Sequence, residues 1–227
     1  MKKYELTEET FTVFGKTLYR IRAVRDFGSV KTGEFGGYIE KEENLSHFGN
    51  AWISGDAWVC DNARVYDNAW VYGNARVYDN AWVCDNARVY GNAKVYGDTW
   101  VSGDARVYGD AWVFGNAWVF GNAKVYGDAW VSGDVKVYGD AWVSGNAEVF
   151  NTRHFFVQGP IGSRNGFITF YRTKDNTVEV RCGCFSGSLQ KFVDRVEETH
   201  GGSRYEKEYK LAAELAKVCI RLEGESR

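Results

Sequence analysis

The chain has one proline, Pro160, in 227 residues. Almost nothing is therefore present to interrupt long, regular backbone pairing. It also lacks a dominant charge: 28 basic and 30 acidic residues leave a net of −2. That excludes a global basic field of the kind that recruits nucleic acid or anionic membrane, so general nucleic-acid binding is not expected. No stretch approaches the roughly 18 consecutive apolar residues of a membrane span. The opening MKKYELTEET has no apolar core, so it does not read as a signal peptide. Cysteines number five (Cys60, Cys84, Cys182, Cys184, Cys219), an odd count without the spacing of a disulfide scaffold. A reducing, cytoplasmic setting is the simplest expectation. Histidine is also scarce, limited to His47, His154 and His200.

What is abundant is repetition. From Ala51 to Thr152 the chain runs as 17 six-residue units without an insertion: AWISGD, AWVCDN, ARVYDN and onward to AEVFNT. The first slot is Ala except at Thr99 and Val135, and the third is Val except at Ile53. The fifth and sixth slots are almost wholly Gly, Asp and Asn. Each unit thus encodes a short strand and a bend. Alternate side chains of a strand share a face, so the Ala and Val slots point one way and the second and fourth slots the other. Gly, Asn and Asp tolerate the positive φ that sharp corners demand. One hexad cannot bury its own apolar side, so successive units must coil and stack. The fold class expected is mainly β, a single-stranded parallel β-helix.

This frame, as in V-Y-G-N-A-R, resembles the hexapeptide-repeat superfamily and its aliphatic-x-x-x-small-x rule. The resemblance implies a left-handed coil of three hexads, in which residues 18 apart stack about 4.8 Å from one another. A 12-residue coil would also group tryptophans but would scatter the tyrosines. That superfamily includes many acyltransferases, which use a histidine near a subunit boundary as general base. None of the three histidines lies in the regular coils, and no loop interrupts them to build an acyl-donor pocket, so the chain is not expected to be such an enzyme.

Stacking at 18 sorts the outward residues into columns. One face carries Trp70, Arg88, Arg106 and Lys124 beside Tyr72, Tyr90, Tyr108 and Tyr126. A second carries Arg76, Lys94, Trp112, Trp130 and Glu148, and a third aligns Trp82, Trp100 and Trp118. All nine tryptophans fall in the outward second slot. Aligned aromatics can stack sugars or bases. Equally, each Arg or Lys of that slot is followed two residues later by Tyr, so a cation could lie over the ring of its own strand and simply cover the sheet. The tryptophan column with Phe120 is a candidate surface for self-association. The solenoid has 7 basic and 12 acidic residues, the acids nearly all in turn slots. Pairs such as Asp61 with Asp79 and Asp110 with Asp128 could hold calcium, but turn geometry accounts for them without a metal.

The flanking segments differ. Residues 1–50 read as an N-terminal cap: a hairpin turning at Phe14-Gly15, then a degraded first coil in GEFGGYIEKEENLSHFGN. Residues 153–227 read as a small ββαα module, with strands FITFYRT and TVEVRCGCF joined at Lys174-Asp175-Asn176. Ser188 would cap a first helix, and a second would run from about Arg204 to Leu222. Cys182, Cys184 and His200 suggest a metal or a thiol nucleophile. Shared parity with Val178 and Val180 instead predicts that both cysteines face a core, and no cofactor or metal is called for. Gly162-Ser163-Arg164 is a polar loop able to hold an anion, or a turn leaving the solenoid. The stretch from Asp26 to Gly49 and the string IGSRNG…CGCFSGSLQKF…ETHG resemble phage and prophage solenoid proteins of bacteria. The expected function is therefore a non-enzymatic, rigid surface that binds a partner or assembles with itself, as a homo-oligomer, with a protein or a small anionic ligand as the partner. The alternative is a small-ligand, nucleotide-like binder or a sequestering antagonist of a host system. Ser163, Arg164, His200, Arg88, Arg106, Lys124, Tyr90, Tyr108 and Tyr126 are its candidate ligand residues.

Overall fold

The computed structural model describes residues 2–223. Residues 51–152 form a β-solenoid of about six turns, built from two-residue strands. Each strand pairs in parallel with the one 18 residues along, as Arg88 with Arg106 and Trp100 with Trp118. The strands accordingly gather into three parallel sheets.

Two features of the repeat fix this geometry. The first- and third-slot side chains are buried in every coil, from Ala51 and Ile53 to Ala147 and Val149. They fill the interior as one continuous cluster. The fifth slot bends the chain: Gly109 sits at φ +73, and the four aspartates of that slot (61, 67, 79 and 85) also adopt positive φ, near +58. Glycine suits this corner for a second reason. A Cβ on Gly109 would lie 3.0 Å from the backbone N of Gly127 in the next coil. Sixth-slot side chains then bond from coil to coil, as in Asn92 Nδ2 to Asp110 Oδ1 at 2.9 Å and Asn122 Nδ2 to Asp140 Oδ1 at 2.9 Å. These corner carboxylates already have donors.

At the N-terminal end, strands Tyr4–Val13 and Lys16–Ala23 form an antiparallel hairpin turning at Phe14-Gly15. Strand Phe35–Ile39 follows and pairs in parallel with the solenoid strand Trp58–Val59. The first two outward tryptophans are covered as a result. Trp52 is fully buried against Phe27 and Tyr4, and Trp58 lies against Phe14.

The C-terminal module holds four antiparallel strands rather than two: Phe155–Ile161, Gly166–Arg172, Val178–Cys182 and Phe185–Ser188. The first carries Gly159-Pro160, which reads as a break; the last is only FSGS, without alternation to betray it. Its sheet has two apolar faces. Phe155, Val157 and Tyr171 pack on the end of the solenoid core, while Phe156, Ile168, Phe170 and Val180 pack beneath the helices. Helix α1 spans Leu189–His200 with Ser188 Oγ accepting from Lys191 N, and α2 spans Arg204–Cys219. The joint is polar and tight. Arg172, itself buried, reaches Glu148 at 2.6 Å and Glu223 at 3.0 Å, and Thr169 Oγ1 accepts from Trp142 N at 3.0 Å.

Candidate functional site

The outward columns are ordered by ring stacking. Tyr72, Tyr90, Tyr108 and Tyr126 stack face to face at 4.8 Å with interplanar angles of 0–2°. That spacing is the inter-strand distance, so each ring occupies the faces of its neighbours. No cation can lie over them between coils. The expected Arg–Tyr contact within a strand does not form. Cations instead lie over tryptophans one coil away. Lys94 Nζ is 3.8 Å from the Trp112 ring centre, Lys136 is 4.7 Å from Trp118 and Arg64 is 5.7 Å from Trp82.

The third face shows the consequence. Trp82, Trp100 and Trp118 form a stack at 5.0 and 5.5 Å, closed at its two ends by Arg64 and Lys136. Such a stack presents ring edges, not faces, so it offers no stacking platform for sugars or bases. Trp100 and Trp118 are about two-fifths exposed. Trp82 is half-buried, as is Phe120, which stacks on Tyr138 at 5.8 Å.

The basic face breaks this pattern. Of the seven solenoid cations, Arg64, Arg76, Lys94, Lys124 and Lys136 each sit over a tryptophan. Arg88 and Arg106 are exposed, and among the described residues neither side chain has a hydrogen bond, ion pair or ring partner. They line a cleft of about 1120 Å³ between this face and the C-terminal module. Lys124 joins them from the next coil, its Nζ 4.0 Å from the ring of Trp142 at the end of the column. Three arginines come from the module: Arg164, Arg181 and Arg195. Arg181 is held by Ser144 Oγ at 2.8 Å and lies over Tyr126, while Arg195 is shared with Glu198 at 3.1 Å. The lining carboxylates are Asp104 and Asp140, and Asp140 already accepts from Asn122. Six cations against two carboxylates is a local excess of four in a chain whose net charge is −2.

Ser163, Arg164 and His200 line the same cleft. Gly162-Ser163-Arg164 belongs to a hairpin turn between the first two module strands, so it does not lead out of the solenoid. His200 packs on Tyr209, 5.4 Å between ring centres. The other two histidines are engaged elsewhere: His47 stacks on Tyr4, and His154 is buried beside Asn151 and Arg172. Tyr90, Tyr108 and Tyr126 do not reach the cleft lining.

Residues 57–73, 69–85, 87–103 and 101–115 match the YdcK Beta solenoid repeat family model. No curated protein matches the chain. The matched segments contain Arg88 and Arg106 but none of the module, so the comparison describes one wall of the cleft.

Cys182 and Cys184 sit in different settings. The strand stops at Cys182, Gly183 turns at φ +58, and Cys184 is exposed rather than packed in the core. Burial pushes the Cys182 thiol up, an effect partly offset by the Tyr209 hydrogen bond. Glu40, Cys60 and Asp61 bring their ligand atoms within 4.8 Å of one another, but Lys16 is salt-bridged to both carboxylates. Burial also raises the Cys60 thiol to about 11.

Arg181, Arg195 and Phe167 are not singled out by the sequence. Arg181 carries a signal, since it alternates with Val180 and Cys182 on its strand. Arg195 carries none, because its place depends on how the module docks on the solenoid.

Proposed function

We propose that this protein is a non-enzymatic binding protein that holds a small anionic ligand between a rigid solenoid wall and its C-terminal module. The observation that carries this reading is the state of Arg88 and Arg106. In a solenoid where every other cation covers a tryptophan, these two face a cleft with no partner among the described residues. Guanidinium groups present planar forks that match phosphate and carboxylate oxygens. Like charges on adjacent coils repel, and a bound anion removes that repulsion.

Several finer readings accompany it. In-register pairing of residues 18 apart supports a hexapeptide-repeat coil of three hexads, and resemblance to that superfamily supports a left hand. Burial of Trp52 and Trp58 beneath the first 50 residues supports a capping role for that segment. Free, buried Cys60 and Cys84 support a reducing, cytoplasmic setting, and sequence resemblance supports a phage or prophage type. Exposed Trp100, Trp118 and Tyr138 support self-association through the tryptophan face.

Calorimetric titration with inorganic phosphate, pyrophosphate and tripolyphosphate tests the central reading. Affinity should rise with ligand charge, fall as salt is added, and weaken at least tenfold in Arg106→Ala. Equal binding by wild type and variant would refute it.

A further inference from the structure

We infer that the ligand of this cleft is a nucleoside polyphosphate, its phosphates held by Arg88, Arg106 and Arg164 and its base stacked on Phe167. The inference rests on the anion-binding reading above and adds two things to it: how much charge the ligand carries, and what occupies the apolar end of the cleft.

Charge sets the first. The lining cations exceed the lining carboxylates by four, or by about three if Arg195 is counted as spent on Glu198. A phosphomonoester brings about 1.5–2 negative charges and would leave roughly half the excess uncompensated. A chain of two or three phosphates meets it. The arrangement fits a chain rather than a compact ion, because Arg88 and Arg106 stand on adjacent paired strands, about 4.8 Å apart. Successive phosphate groups can each engage a separate guanidinium fork.

Apolar surface sets the second. The module wall contributes Ile161, Phe167, Phe185 and Val196 to the same cavity, an unsuitable lining for bare polyphosphate. Four half-exposed rings touch the cleft: Trp142, Phe167, Phe185 and His200, the last packed on Tyr209. Trp142 carries the Lys124 ammonium 4.0 Å from its ring centre, and Phe185 is engaged with Phe192 at 5.5 Å. Phe167 has neither a cation nor an aromatic partner among the described residues. Its ring packs on Gly159 so closely that a Cβ there would come within 2.4 Å of it. A ring with no aromatic or cation partner, lining the same cleft as the ladder of arginines, is the candidate base-stacking platform. Stacking tolerates any base, so discrimination among bases should be weak.

The test uses the full chain in chelator-containing, low-salt buffer and titrates ATP, GTP, CTP, inorganic tripolyphosphate and adenosine. The three nucleotides should bind within a few-fold of each other and about tenfold or more tighter than tripolyphosphate. Adenosine should give no measurable heat. Phe167→Ala should bring ATP down to the tripolyphosphate affinity while Phe167→Tyr retains it, and Arg106→Ala should weaken ATP and tripolyphosphate alike. Tripolyphosphate binding to wild type as tightly as ATP would overturn the nucleotide assignment and leave the anion site standing, a result that needs no variant to fold. A single-stranded oligonucleotide outcompeting every triphosphate would also overturn it. Failure of both ATP and tripolyphosphate to bind would overturn the anion site itself.

Discussion

The tryptophan face and the basic face are built on the same frame, with the same buried Ala and Val slots beneath them. They differ in the second- and fourth-slot residues that recur at 18. On one, Trp82, Trp100 and Trp118 stack and are closed by Arg64 and Lys136, so every ring and every cation is used. On the other, Arg88 and Arg106 remain unused and look into a cleft. The first column resolves its chemistry internally; the second leaves charge over. A parallel solenoid copies a residue into a column, and a column of like cations costs energy unless something else answers it.

The comparison depends on the shared interior, and breaking that interior should abolish both faces at once. Val107→Asp buries a charge with no partner in the core and should cost more than about 4 kcal/mol. Urea unfolding followed by near-ultraviolet circular dichroism and by ligand binding should show both signals lost together. Trp100→Ala instead removes the middle ring of one stack. It should cost about 2–3 kcal/mol, lower than full-core truncation because the ring is part-exposed, and leave anion affinity within twofold. Loss of binding in that variant would mean the faces are coupled.

The corner that leads from the basic face to the face of Trp112 offers a smaller perturbation. Gly109→Ala meets both a positive φ and the close backbone of Gly127, and should destabilise by about 1–2 kcal/mol in a denaturant titration. The fully buried Lys3 sharpens the contrast with the unanswered arginines, since its ammonium is satisfied by Ala51 O at 2.6 Å and lies over Phe27. Burial, and then Arg25, lower its pKa from 10.5 to about 8. The unfolded chain therefore holds this proton more tightly between those values, and stability should rise with pH across that window. Relative to wild type, Lys3→Met should flatten this part of the curve in melts between pH 8 and 10. An unchanged difference across that range would contradict the assignment.

The solenoid is legible because its period is strict: Ala51 to Thr152 repeats without a slip, and burial follows the slots residue by residue. Columns follow from the same arithmetic, which by itself aligns Arg88, Arg106 and Lys124. Partner choice does not. Whether Lys94 meets Tyr96 on its own strand or Trp112 one coil away depends on how the outward rings stack, a three-dimensional competition with no local signature. The module is half legible. Helix α1 announces its cap at Ser188 and its apolar spacing, whereas FFVQGPI hides a strand behind Gly159-Pro160. Parity misplaces Cys184 because Gly183 ends the strand one residue earlier. Ser163, Arg164 and His200 stand out in the sequence as candidates, but nothing local says that they face the basic column. Their meeting depends on the joint made by Arg172 and Glu148.

The claim that the basic face is a site rather than a covering is tested most directly by Arg88→Ala/Arg106→Ala. Melting temperature and tripolyphosphate affinity would be measured together, at about 50 mM and about 300 mM salt. With no partner to lose and a like-charge column relieved, the melting temperature should stay within a degree or two of wild type or rise slightly. Affinity should fall at least tenfold at the lower salt, and the remaining binding should depend less on salt. A variant that melts several degrees lower yet binds tripolyphosphate as wild type does would show that these arginines serve the fold, and would contradict the account.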